Sequence, residues 1–355
     1  MSHYEKRLEE DLTRIRERVT AMAARVDEAV ARAVSALLAV DRHVASEIIL
    51  GDMPINREIR DIDRECHSFV ARHLPSAGHL RFVSSVLRLN VAIERIGDYA
   101  VTIARVTAQL GDPPPSDMAR DIELMAQHAK RMLGDARRAF QEQNAELARE
   151  TKALADAANF FGRGFDDLTR EGEARTRPTA DLLSLFSVLN VLERVIDQAK
   201  NMCEETIFAV TGETKAPKQY RILFVDERND AASQLAEAYS RKAFPQSGVY
   251  ESAGWEPASS LNSACAAFLE ERGIDASALH PKSLEAVRRQ LTDYHVIVSL
   301  GGNPRPHITD APFRTVFVEW EVGPPDTPEH IDTAFKEIAH HVRDLMEILR
   351  GDQAN

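Results

Sequence analysis

The chain has 355 residues, 44 % of them hydrophobic, with a formal net charge of -12 at pH 7. That length exceeds one ordinary core and points to two or three domains. The acid excess excludes general nucleic-acid binding, which needs a basic footprint, and favours cations or other proteins as partners.

No apolar run approaches the roughly 20 residues that span a bilayer, and MSHYEKRLEEDL at the N-terminus reads as a charged helix, not a signal peptide. Cys66, Cys203 and Cys265 have no C-x-x-C spacing and read as small core residues in a reducing compartment. The expectation is a cytoplasmic protein that meets membranes only through partners.

Residues 4 to 40 predict one long amphipathic helix. Leu8, Leu12, Ile15, Val19, Met22, Val26, Val30, Ala33 and Leu37 alternate steps of three and four. A second helix is expected from Asp41 to about His73, with Gly51 and Pro54 as points of bending. Pro75 to Gly78 break the chain before a third helix, and Gly111 to Ser116, with three consecutive prolines, end the unit. Residues 117 to 210 replay the pattern: periodicity at Ile122 to Phe140 and Leu147 to Leu168, a polar break at Gly172 to Pro178, then another long helix. A repeat near a hundred residues predicts two tandem three-helix bundles related by a pseudo-twofold, with bounds 1–111 and 117–215.

The third helix carries AIERIGDYAVTIAR, in which Ile93, Ile96, Ala100 and Ile103 form a buried stripe. Glu94 and Asp98 lie one turn apart beside it. Like charges at that spacing cost about 0.2–0.5 kcal/mol, so either a solvated face with Arg95 and Arg105 or a bound hard cation offsets them. Glu193 and Asp197, in VLERVIDQAKNMCEE, repeat the E-x-x-x-D about a hundred residues on.

EIILGDMPINREIRDIDRECHSFVARHLPSAGHLRFVSSVLRLNVAIERIGDYAVTIA, with LERVIDQAKNMCE and AVTGE in the second repeat, resembles the PhoU family of bacterial phosphate-uptake regulators over residues 1 to 215. The resemblance implies a non-enzymatic cytoplasmic brake and negative regulator of phosphate-starvation signalling and transcription. It would couple the phosphate ABC transporter ATPase to a sensor histidine kinase, and it would be a homodimer or other homo-oligomer. It also implies divalent or trivalent metal ions (Mg, Mn, Fe or Zn) at the E-x-x-x-D faces. In the first repeat these would be held by Glu94 and Asp98 with Asp52, Asn56 and Asp63 of the preceding helix. Asp52 could equally be a helix cap beside Gly51. In the second, Glu193, Asp197 and Asn201 remain. Of the preceding helix only Asp156 lies near the expected acids, with Ala158 and Asn159 where one would stand, so the first face is expected to bind more strongly. A metal-free scaffold is the structural alternative.

After a linker at Lys215 to Lys218 the period changes. Tyr220 to Val225 predict a buried strand, followed by a helix at Ser233 to Phe244. Further strands are expected at His295 to Leu300 and Thr315 to Glu319, and helices at Ser260 to Arg272, Leu284 to Leu291 and His330 to Leu349. Strand–helix alternation predicts an α/β domain with a parallel sheet over residues 219–350.

ILFVDERNDAASQLAEAYSRKAF and SAGWEPASSLNSACAAFLEERGIDASALHPKSL, in that order, resemble the low-molecular-weight tyrosine phosphatase and arsenate reductase superfamily. Its C-x5-R-S phosphate loop implies a thiolate nucleophile and an anion-forking arginine. Here Asp226 stands at the nucleophile position and Ala232 at the arginine position, while Asn229 and Ser233 remain. Arg228 offers one positive charge from a different loop position, against Glu227 and Asp230. Asp326, in GPPDTP, falls where the general acid would sit, but the usual D-P has become Asp326-Thr327-Pro328, and without a nucleophile it reads rather as a turn residue. The expectation is a pseudophosphatase module for interaction or sensing; the rival is an active phosphatase with Asp226 as an aspartyl-phosphate nucleophile.

Overall fold

The structure is a computed structural model that describes residues 3–156, 160–174, 177–215, 218–287, 291, 293–308, 315–325 and 327–351, without the side chains of 156 and 160–166. The chain divides into two compact units, Met1–Lys215 and Ala216–Asn355.

The first unit is helical: α1 (His3–Ala39), α2 (Arg42–His73), α3 (Ala77–Gln109), α4 (Ser116–Glu142), α5 (Ala145–Asp156), α6 (Phe160–Ala174) and α7 (Thr179–Thr211). All nine apolar positions of the α1 stripe are buried, from Leu8 to Leu37. That burial, more than intrinsic propensity, sustains so long a helix. Asp41 caps α2, its carboxylate accepting from the N–H groups of His43 and Val44 at 3.0 Å each. The helix then continues through Gly51 and Pro54 to an exit at Leu74 in the left-handed region, φ 43°. The periodic stretch after Leu147 is divided between α5 and α6.

Helices α3 and α7 pack on each other at the centre. Helices α1 and α2 flank the first, α4, α5 and α6 flank the second, and α1 also meets α4. One cluster of buried side chains therefore runs through both three-part halves, from Leu8 to Cys203. The halves also join by polar contacts: Arg88 pairs with Glu205 at 2.7 Å and lies 5.0 Å over the Phe208 ring. α7 stops at Gly212, whose φ of 80° suits the residue without a side chain.

The second unit has four parallel strands in the order β2-β1-β3-β4: β1 (Tyr220–Asp226), β2 (Gly248–Gly254), β3 (Val296–Ser299) and β4 (Val316–Glu319). Its helices are α8 (Ala232–Ala243), α9 (Ser263–Glu271), α10 (Leu284–Val287) and α11 (Pro328–Arg350). β1 is covered on both faces, which is why its sequence reads as an unbroken apolar run. Ile222 and Phe224 pack towards α8, α9 and α11, whereas Leu223 and Val225 pack with Leu284, Val287 and Ile297. β2 is a strand that sequence periodicity does not announce. It is an edge strand, its Val249 41 % exposed, and Gly, Glu and Ser interrupt its apolar alternation. The expected helix at Leu284 to Leu291 is α10 over its first four residues; residues 288–290 lie outside the described part.

Candidate functional site

Two places gather the polar residues singled out by sequence. The first is the seam between α2 and α3. Asp52 lies mid-helix, so capping, which Asp41 performs, does not explain it. Its Oδ2 accepts a 2.7 Å hydrogen bond from Asn56 Nδ2 one turn on. Its Oδ1 and the Asn56 Oδ1 are both buried without a hydrogen-bond partner. Asp52 Oδ1 packs over Gly97, lying 3.5 Å from where a β-carbon would stand, which brings its charge near Asp98. Partial burial and the facing Asp52 carboxylate push the Asp98 pKa up, and Arg105 offsets them in part. A buried oxygen with no donor is costly, and two of them near the Asp98 carboxylate suit a hard cation that prefers oxygen.

The other members of the expected first set are not all at that point. Asp63 accepts from the buried Asn90 Nδ2 at 2.7 Å, and Glu94, like Asp98, is exposed on α3. Among the described residues no three His, Cys, Asp or Glu side chains converge to hold one ion. What the seam offers is two carboxylates, Asp52 and Asp98, and the amide oxygen of Asn56. In the second half Asp197 is exposed on α7, and Asn201 donates to Gln198 Oε1 at 3.3 Å. Asp156 ends α5, but its side chain, like Ala158 and Asn159, lies outside the described residues. Glu204, two residues past Met202, is held by Lys152 at 3.0 Å and Lys215 at 2.8 Å, which keep its pKa below the usual range against the effect of burial. Asp27 of α1, which the sequence reading passed over, has a buried Oδ1 without a hydrogen-bond partner. Burial pushes its pKa up; Lys130 and Arg137 of α4 oppose the shift.

The second place is the loop between β1 and α8. Asp226 ends β1 and turns its carboxylate into the loop. Oδ1 accepts the Asn229 N–H at 2.6 Å, and Oδ2 accepts the Ser233 N–H at 2.8 Å. Burial pushes the Asp226 pKa up, although the Ser233 backbone and hydroxyl and the Asn229 N–H pull the other way. Asn229 is fully buried in the left-handed region, φ 48°. Its Nδ2 donates to Ser233 Oγ at 2.8 Å, and its Oδ1 accepts from the Lys282 N–H at 2.7 Å and from Gln234 Nε2 at 3.1 Å. Gly254 must lack a side chain, because a β-carbon there would lie 2.7 Å from the Glu227 carbonyl.

Arg228 does not serve the loop. Its side chain is 66 % exposed and pairs with Asp230 at 3.0 Å. Ala232 is buried and supplies no charge. Asp326 lies outside the described residues; next to it Thr327 caps α11 and Pro328 opens it, a structural role for the Thr-Pro pair. Sequence reading missed the roles of Gln234, Gly254 and Lys282, although all three lie within the two stretches that carry the phosphatase resemblance. Cys265 is buried in α9, where burial pushes its thiol up to about 12; Cys66 and Cys203 are likewise buried and free.

Residues 19–107 and 122–206 match the family model for the PhoU domain, and residues 221–314 match that for low molecular weight phosphotyrosine protein phosphatase. A phosphate-specific transport system accessory protein PhoU homolog of Pseudomonas putida is 31 % identical over 217 residues, covering 59 % of this chain and 83 % of that protein. The corresponding homolog of Pseudomonas aeruginosa is 30 % identical and is covered over 88 % of its length. The crystal structure of PhoU from Pseudomonas aeruginosa has a TM-score of 0.54 at 29 % identity, covering 58 % of this chain and 99 % of that one. Fold and matches together define a two-repeat helical protein extended by a phosphatase-like α/β unit. The chain belongs to the PhoU family.

Proposed function

We propose that this protein is an accessory regulator of phosphate transport, of the negative-regulator type, whose helical unit binds a hard cation and whose C-terminal unit is a non-catalytic interaction or sensing module. Relatives named as accessory proteins of the phosphate-specific transport system support the first part. The family resemblance read from the sequence extends the proposal to the transporter ATPase and a sensor histidine kinase as partners, met in the cytoplasm by a homo-oligomer. Among the described residues no helix is long and apolar enough to cross a membrane.

The observation that carries the non-catalytic reading is the Asp226 carboxylate held by backbone N–H groups on both oxygens, together with a buried Ala232 where an anion-forking side chain would be required. Asp226 is a weaker nucleophile than a thiolate, and its charge repels an incoming oxyanion. Loss of a single preorganised oxyanion donor costs about 10²–10³ in rate. p-Nitrophenyl phosphate hydrolysis and arsenate reduction should both stay at background. Turnover that disappears in Asp226→Asn would instead establish the aspartyl-phosphate chemistry.

The cation reading rests on the orphaned oxygens of Asp52 and Asn56 and on the nearness of the Asp52 charge to Asp98. A bound Mg, Mn, Fe or Zn ion would neutralise the two carboxylates and satisfy both orphans; Mg or Mn suits an all-oxygen set best. Plasma mass spectrometry of the purified protein and of Asp52→Asn/Asp98→Asn checks this: equal metal content in the two would leave the metal-free scaffold.

A further inference from the structure

A loop that receives an oxyanion needs N–H groups pointing inward, a helix N-terminus behind them and room for the guest. The loop after β1 has the donors, and they are braced. The Lys282 N–H and Gln234 Nε2 hold Asn229 Oδ1, and Asn229 Nδ2 holds Ser233 Oγ. α8 begins at Ala232 with no side-chain cap, so the N–H of Ser233 in its first turn is free for an outside acceptor. That acceptor is present, and it is the chain itself: Asp226 takes the Asn229 N–H on one oxygen and the Ser233 N–H on the other.

We propose that Asp226 is a built-in ligand of this loop, a tethered carboxylate that takes the place of a free tetrahedral oxyanion and keeps the unit folded and closed to phosphate and arsenate. The inference rests on the reading of this unit as a non-catalytic phosphatase-like module. A tethered carboxylate already held in place meets none of the translational and rotational entropy cost that free phosphate must meet on binding. An oxyanion entering the loop would also have to displace a negative charge with no guanidinium to compensate it, since Arg228 is engaged by Asp230. The same two hydrogen bonds, one on each oxygen, hold the carboxylate in place and draw electron density from a nucleophilic Asp226.

The test is an anion rescue in the full chain. The thermal transition of the C-terminal unit is followed for wild type, Asp226→Gly and Asp226→Asn in sodium chloride, formate, phosphate or arsenate at equal ionic strength. Wild type should show no shift specific to any anion. Asp226→Gly should melt lower and recover most of the loss in formate or phosphate, because the emptied loop then accepts an external anion. Asp226→Asn should fall between, keeping one acceptor oxygen but facing the Ser233 N–H with an amide or a single oxygen. A wild-type transition raised by phosphate, or an Asp226→Gly transition indifferent to every anion, would overturn the proposal. Should Asp226→Gly not fold, amide NMR of the wild type decides. The Asn229 and Ser233 N–H signals should ignore added phosphate and move together with the titration of Asp226; movement on adding phosphate would refute it. Wild-type phosphatase turnover would sink the non-catalytic reading, whereas failure of the rescue sinks only the built-in ligand.

Discussion

Asp52 and Asp226 are the same functional group placed in opposite surroundings. On the α2–α3 seam the Asp52 carboxylate has one oxygen bound to Asn56 and the other buried without a donor, beside a second acid. In the loop after β1 both oxygens of Asp226 receive backbone N–H groups. The first arrangement is short of positive charge, and the cation proposed above would complete it; the second has a backbone donor on each oxygen, the basis of the proposed exclusion of an anion. The difference does not lie in the acid but in whether the neighbouring backbone can donate. Within a helix every interior N–H is already used, so acids on a helical seam stay open to ions. At a strand end facing a helix N-terminus the N–H groups are unspent, and a carboxylate closes on them.

The largest expected effect breaks the open member of the pair. Manganese or magnesium at about a hundred times its dissociation constant should stabilise the wild-type helical unit by about 2.7 kcal/mol and the Asp52→Asn/Asp98→Asn variant by almost nothing. Melting curves with and without metal measure this, and equal shifts in both proteins would count against the seam.

Breaking the closed member should cost somewhat less. Gly254→Ala places a β-carbon 2.7 Å from the Glu227 carbonyl and 3.0 Å from the Asn229 backbone and side chain. The loop cannot yield without disturbing Asn229, so the C-terminal unit should lose about 2 kcal/mol in urea unfolding. Asn229→Ala should cost about 1–2 kcal/mol, because the Lys282 N–H and Gln234 Nε2 each lose an acceptor. A C-terminal transition unchanged in both variants would show that the bracing is ornamental.

The smallest effect sharpens the comparison through pH. Without metal, Glu94→Gln/Asp98→Asn removes like-charge repulsion and should raise stability by about 0.2–0.5 kcal/mol at neutral pH. Asp98 and Asp226 both keep their protons to higher pH in the folded chain than in the unfolded one. Between the usual carboxylate range and the raised folded values the native state therefore binds more protons, and stability falls as pH rises. Their contribution is whole below that range and lost above it. The wild-type urea midpoint should drop relative to Asp98→Asn as pH climbs from about 4 to about 6, the span just above an ordinary aspartate pKa; parallel midpoints would mean that Asp98 is not perturbed.

Much of this was readable from residues alone. The α1 stripe, the E-x-x-x-D copies and the apolar run of β1 carry their periods openly, because a helix or strand buried on one side or on both must repeat apolar residues at its own pitch. Set beside the C-x5-R-S loop of the family it resembles, the chain's Asp226 in place of a thiol and Ala232 in place of an arginine were equally plain. Periodicity was silent where the deciding contact joins distant segments or depends on direction. It did not show that the two helical halves share one core through α3 and α7, or that β2 is an edge strand in spite of its Gly, Glu and Ser. Spacing put Asp52, Asn56 and Asp63 on one side of α2, yet α3 divides them: Asn90 takes Asp63, while Gly97 admits Asp52 to the neighbourhood of Asp98. Nor could spacing tell that Arg228 turns out to Asp230 while Asp226 turns in. Those outcomes rest on hydrogen-bond direction and on the path of segments far apart in the chain, the Lys282 backbone behind Asn229 above all, and they exist only once the chain has closed on itself.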